Sequence, residues 1–164
     1  MRFAIRALCA SDHPWVCQFL QEHWGGTVIV SRGRLHHADH LPGFLAVQEG
    51  VPVGLLTFHI DGDQLEVVTL NSLAERQGIG TALLHAAQDI ARTAHCRRLW
   101  LITTNDNAPA MEFYQRRGLI VAAIHRNAMD VSRQLKPQIP ARGIGDVPIC
   151  DEIEMTLSIE PAAG

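Results

Sequence analysis

The chain has few of the devices that would staple it, anchor it or spread it on a polyanion. Its four cysteines, Cys9, Cys17, Cys96 and Cys150, form no C-x-x-C pair, and no Cys/His set has zinc-finger spacing. That excludes a disulfide scaffold and reads as four free thiols in a reducing cytosol. No apolar run approaches the roughly 20 residues of a membrane span. The opening "MRFAIRALCASD" is too short an apolar run for a signal peptide, and Arg6 interrupts it. A formal net charge of −3 argues against a broad nucleic-acid surface. No G-x-x-x-x-G-K-[ST] run and no H-E-x-x-H run occurs, so a P-loop and a zincin helix are both missing. There is one tyrosine, Tyr114.

What remains is a chain of 164 residues with 47% hydrophobic and 19% charged residues, enough for one globular domain with a buried core. We expect a single domain over 1–164, cytoplasmic, without membrane or nucleic-acid partners. Residues 3–8 read as a first strand. "ASDHPWVCQFLQEHW" reads as a helix with Ser11 or Asp12 as N-cap, Pro14 in its first turn and an apolar face of Trp15, Phe19 and Leu20. Residues 25–43 carry no clear period.

A β-meander follows. Glu49-Gly50 separates 44–48 from 51–60, and Asp61-Gly62-Asp63 separates 51–60 from 65–71. The period then switches. Ile79, Leu83, Ala87, Ile90 and Ala94 mark an amphipathic helix, and "RRLWLITT" a buried strand after it. Strand, helix and strand at this spacing predict a parallel pair joined by a right-handed crossover. "NDNAPAMEFYQRRG" reads as a helix capped by Asn107 and closed at Gly118, and "LIVAAIH" as a strand. Residues 126–150 form a long connection with a weak helix over 128–136. The closing strand puts Ile153, Met155, Leu157 and Ile159 on one face, and Glu152, Glu154, Thr156 and Ser158 on the other.

"AERQGIGTALL" at 74–84 places two glycines where a loop becomes a helix. A dinucleotide fingerprint needs a third glycine where Leu83 stands, so that reading fails. Two readings stay open: a pyrophosphate cradle of backbone N–H groups at a helix N-terminus, or glycines that only permit close packing.

The segments "VVTLNSLAERQGIGTALL" and "TTNDNAPAMEFYQRRGL", in this order and spanning about 67–119, resemble the GNAT superfamily of acyl-CoA-dependent N-acetyltransferases. The resemblance implies an α/β (α+β) fold: a mixed, mostly antiparallel sheet of six to seven strands with a splayed parallel central pair and about four flanking helices. It implies acetyl-CoA as co-substrate, with Arg76, Gln77, Gly78, Gly80 and Thr81 around the pyrophosphate. Leu70 and Ser72 would meet the pantetheine arm, and Asn107 matches the family's cofactor-side asparagine. Glu75 departs from the family pattern [QR]-x-x-G-x-[GA] at its first position. Tyr114, at the family's "FY", is implied as general acid for the CoA sulfur, against a plain half-buried aromatic.

Glu66 lies on the central strand in alternation with Val68 and Leu70, and a carboxylate among apolar neighbours is costly unless paired or functional. It is the candidate base, the alternative being a strand-edge carboxylate or ion pair. "LHHADH" groups His36, His37, Asp39 and His40. On a helix His36 and His40 would share a face, but no further ligand is indicated and no metal is expected. His36 or Asp39 touching substrate is a weaker reading. The 126–150 connection either covers the acceptor site, with Lys136, Asp151 or Glu152 nearby, or builds a homodimer interface. The expected reaction is direct attack of a small-molecule primary amine on acetyl-CoA in a ternary complex. A peptide or protein amine and a non-catalytic acyl-CoA sensor are the rivals.

Overall fold

A computed structural model describes residues 2–74 and 76–160. Strand β1 (Ala4–Ala7) leads into helix α1 (His13–Trp24), then the hairpin β2 (Val28–Ser31) and β3 (Arg34–His37). The meander is β4 (Gly43–Gln48), β5 (Val51–Asp61) and β6 (Gln64–Ser72), followed by α2 (Ile79–Thr93), β7 (Arg98–Thr104) and α3 (Ala108–Arg116). The rest is β8 (Ile120–His125), α4 (Ala128–Leu135) and β9 (Glu152–Ser158).

Seven strands form one sheet in the order β1-β4-β5-β6-β7-β9-β8, and β2–β3 stands apart. Only β6 and β7 pair in parallel; every other neighbouring pair is antiparallel. The expected mixed sheet with four helices is what forms.

Two cores sandwich the sheet. Leu65, Val67, Leu99, Leu101 and Met155 pack with Ile79, Leu83, Leu84 and Ala87 of α2. On the opposite face Leu45, Leu55 and Val68 pack with Val16, Phe19 and Leu20 of α1. Burial of such side chains stabilises by about 1.5–3 kcal/mol each.

Local chemistry sets the ends of the helices. Asp12 is the N-cap of α1, yet its carboxylate turns to the Arg6 guanidinium (2.7 and 2.8 Å) and the Cys9 amide instead of the helix. Asn107 does cap α3, its Oδ1 accepting from the Ala110 amide at 3.2 Å. Gly118 takes φ +94° beyond the end of α3, a conformation that favours glycine.

Two expectations are corrected, and one unassigned segment is filled. His36 and His40 share no helix: His36 is on β3, buried, and His40 follows in a single 3-10 turn. The period-2 reading of Glu66, Val68 and Leu70 fails because Thr57 pairs with Thr69 while Phe58 pairs with Val67. Val68 is thus an inserted residue, a β-bulge. It moves Leu70 to the α2 side with Val67, and leaves Val68 on the α1 side. Residues 25–43, without a period, hold the β2–β3 hairpin.

Candidate active site

The parallel pair runs in register from Gln64 opposite Arg98 to Val67 opposite Leu101 and goes no further. The bulge at Val68 follows immediately. Beyond it β6 and β7 part, and a slot of about 310 Å³ opens between them, lined by Val68, Leu70, Asn71, Ile102, Asn107 and Tyr114 among others. Strand backbone in this stretch has lost its neighbour on one side, so amides there are free to meet a ligand.

A second cavity, of about 430 Å³, shares Trp24, Val67, Val68, Ile102, Thr103 and Asn107 with the slot. The two therefore adjoin. The second adds Ser31, Glu66, Glu152, Lys136 and Met129 to its lining. Ile139, Pro140 and Ile149 also line it, so the 126–150 connection lies over this space.

Tyr114 projects from α3 into the slot, its ring edge-on to Phe113 with centroids 5.3 Å apart. Among the described residues its hydroxyl has no hydrogen-bond partner. Burial pushes its pKa up to about 12, so the phenol stays protonated at neutral pH.

Glu66 stands on the other side, 4% exposed. Its Oε2 accepts from Ser31 Oγ at 2.5 Å. His36 Nε2 lies 3.3 Å from Oε1, close enough for an ion pair but outside hydrogen-bond angles, so Nε2 is left without a true partner. The carboxylate is thus paired, as its burial requires, and still lines the cavity. Glu152, 1% exposed, accepts from the Arg32 amide at 3.0 Å through Oε2. Its Oε1 has only the Arg32 guanidinium at 3.7 Å and no hydrogen bond. Lys136, 5% exposed, donates from Nζ to the Trp24 carbonyl at 2.7 Å, and burial pulls its pKa down.

At the far end of the slot, helix α2 begins. Gly78 is its N-cap at φ +77°, and a Cβ there would meet nothing within 4 Å. Arg76 also takes a left-handed φ, of 62°. The first helical bond runs from Ala82 N to Gly78 O, so the amides of Gly80 and Thr81 precede the ladder. Gly80 serves packing: a Cβ there would come within 3.0 Å of Phe113 Cζ. Thr81 Oγ1 accepts from Arg117 Nε at 2.7 Å, and the Arg117 guanidinium lies 3.6 Å over the Phe113 ring. Gln77 Oε1 accepts from Gln48 Nε2 at 3.3 Å. Ser72 Oγ donates to the Ala74 carbonyl at 2.9 Å. Glu75 lies outside the described residues.

The structure brings Leu70, Asn107 and Tyr114 together at the slot and Glu66 into the adjoining cavity. Ser72, Arg76, Gln77, Gly78, Gly80 and Thr81 fall in and around the loop before α2. His36 joins Glu66, whereas Asp39 goes elsewhere, to His13. Trp24, Ser31, Thr103 and Arg117 were missed by sequence reasoning. Trp24 and Ser31 sit in or beside the segment without a period, and Arg117 reads as one more surface charge. Only a three-dimensional contact identifies them.

A family model described as the acetyltransferase (GNAT) family matches residues 8–119. The protein YdhI of Bacillus subtilis (strain 168) is 44% identical over 136 residues, 82% of this chain and 85% of that protein. The ribosomal-protein-S18-alanine N-acetyltransferase from Escherichia coli superposes with TM-score 0.69 and 21% identity, covering 99% of this chain and 97% of its own. A GNAT family acetyltransferase from Elizabethkingia anophelis with acetyl-CoA bound gives TM-score 0.67 and 16% identity over 95% and 97%. At those two identities the likeness is one of fold.

Proposed function

This chain belongs to the GNAT acetyltransferase family and is an acyltransferase, and from that premise we propose that it moves acetyl from acetyl-CoA to a primary amine of a small molecule. The observation that carries the proposal is the pair of adjoining cavities, with Tyr114 lining one and Glu66 the other. The Elizabethkingia anophelis structure, with acetyl-CoA bound, supports the choice of co-substrate.

The pyrophosphate would lie on the amides around Gly78 to Thr81, where the helix end carries partial positive charge. Gly78 leaves room there, and Arg76 adds charge. The pantetheine arm would run past Leu70, Ser72 and Asn107. An ammonium acceptor would enter the other cavity, drawn by Glu66 and Glu152. Attack requires a free lone pair, so Glu66 takes the ammonium proton. The nitrogen then attacks the thioester carbon directly, and the Leu70 amide faces the developing oxyanion. As the nitrogen gives up its remaining extra proton to solvent, the carbon–sulfur bond breaks and negative charge passes to sulfur.

Tyr114 meets that charge. Its pKa of about 12 lies above the roughly 8.5 of an ordinary thiol. The phenol therefore stabilises the departing thiolate by donating a hydrogen bond and largely keeps its proton. None of the four cysteines lines either cavity, which supports direct transfer over a covalent acetyl-enzyme.

The protein-amine reading draws on the Escherichia coli neighbour, an S18-alanine N-acetyltransferase. The cover formed by Ile139, Pro140 and Ile149 favours the smaller acceptor. Thiol release measured over a panel of amines and peptides tests the proposal. Turnover on small amines is expected. Turnover on peptides alone would shift the acceptor class, and tight acetyl-CoA binding without any turnover would mark a sensor.

A further inference from the structure

Away from both cavities, α1 and the turn after β3 face one another through four polar side chains. His13 and Cys17 stand one helical turn apart on α1 and share a face. Asp39 and His40 belong to the 3-10 turn at 38–40. Asp39 Oδ2 is the hub. It lies 3.1 Å from His13 Nε2, 3.8 Å from Cys17 Sγ and 3.2 Å from His40 Nε2. Cys17 Sγ is 3.4 Å from His13 Nε2.

We propose that His13, Cys17 and Asp39 form a binding site for a divalent metal ion, zinc by its ligand chemistry, which ties α1 to the turn after β3. One nitrogen, one sulfur and one oxygen atom all lie within 4.8 Å of one another. Tetrahedral zinc with bonds of about 2.0–2.3 Å has ligand-to-ligand edges of about 3.3–3.8 Å. The three edges observed, 3.1, 3.4 and 3.8 Å, fit an ion at their centre with little movement. The mixed imidazole, thiol and carboxylate set suits zinc better than magnesium or calcium, which take oxygen. Without an ion the Cys17 thiol donates to Asp39 Oδ2, and a bound cation would take the place of that proton.

The remaining surroundings agree. A surface cavity of about 640 Å³, lined by Cys9, Asp12, His13, Asp39 and His40 among others, gives an ion a way in and leaves the fourth position to water. The His40 ring stacks on that of His13 at 5.1 Å and steadies it. His40 itself stands outside the three mutually close ligands. The ion would have a defined mechanical task. The far end of α1 carries Trp24 into the acceptor cavity, and β3, just before Asp39, carries His36 to Glu66. One ion would fix two walls of that cavity from a distance, without touching substrate.

The test uses the full chain, stripped with a chelator and titrated with zinc alone and with cobalt(II) alone. One equivalent of zinc is expected, with a rise in Tm. Cobalt(II) should give a thiolate charge-transfer band in the near ultraviolet. Cys17→Ser should remove the band, while Cys9→Ser and Cys150→Ser keep it. Should Cys17→Ser fold poorly, Asp39→Asn and His13→Gln carry the same test through loss of the one-equivalent zinc isotherm. No zinc uptake by the wild type, a cobalt spectrum without the thiolate band, or a band that survives Cys17→Ser but disappears in Cys9→Ser would each overturn the proposal.

Discussion

Ser31 Oγ donates to Glu66 Oε2 across 2.5 Å, from a hairpin that belongs to a different sheet from the strand bearing Glu66. The contact spans 35 residues of sequence and orients a carboxylate that the strand alone would leave free to rotate. If Glu66 is the base, Glu66→Gln should lower kcat by about 10²-fold or more and abolish the acidic limb of the pH–rate profile. Ser31→Ala should keep that limb with a smaller loss in rate. A limb that survives Glu66→Gln would remove Glu66 from the chemistry.

Tyr114→Phe removes a donor without changing the shape of the slot. The expected result is a fall in kcat of about 10²-fold, with KM for acetyl-CoA within about twofold. Steady-state kinetics at saturating amine read this directly. A rise in KM for acetyl-CoA as large as the fall in kcat would point to a packing role.

Gly80 and Phe113 are in tight contact, so Gly80→Ala asks the ring to shift by a few tenths of an ångström. The cost should be about 1–3 kcal/mol, as for overpacking, seen as a lower Tm. Phe113→Leu in the same chain should recover part of it. Gly78→Ala has open space but a left-handed φ, and should cost about 1 kcal/mol with a separate loss of CoA affinity. Calorimetry on both single variants distinguishes packing from binding.

Glu154 gives a pH-dependent stability. Burial by itself would raise its pKa, but hydrogen bonds from His125 (3.0 Å) and Arg98, with the Arg98 charge, hold it below the usual carboxylate range. A depressed carboxylate contributes stability that is present above the unfolded pKa and lost as pH falls through the folded one. Glu154→Gln should therefore cost about 1 kcal/mol near neutral pH, and the gap to wild type should close as both are acidified below about pH 4. Urea melts across pH are the measurement, and a gap independent of pH would contradict it.

Much of the fold was legible because its periods are strong and its turns are marked. The meander announced itself through Glu49-Gly50 and Asp61-Gly62, and α2 through Ile79, Leu83 and Ala87. The resemblance around 67–119 carried the site as far as Tyr114 and the glycine loop. The bulge at Val68 was not legible, because an inserted strand residue looks like any other valine. The hairpin at 28–37 is short and polar on one side, so it offered no alternation to read. His36 illustrates the limit well. The sequence grouped it with His40 and Asp39, whereas strand geometry sent it to Glu66 and left Asp39 for α1.

The bulge at Val68 also bears on how such a site is gained or lost. Substitutions at Val68 change only what lines the slot. Removing the residue would return β6 to uniform alternation with Val67 and Leu70 still on the α2 side, and would take away only the extra step at which the parallel pairing with β7 ends. The opening between the strands is thus a matter of counting rather than of side-chain identity. A one-residue deletion at Val68 therefore bears on the opening between β6 and β7, while both cores keep every residue but Val68.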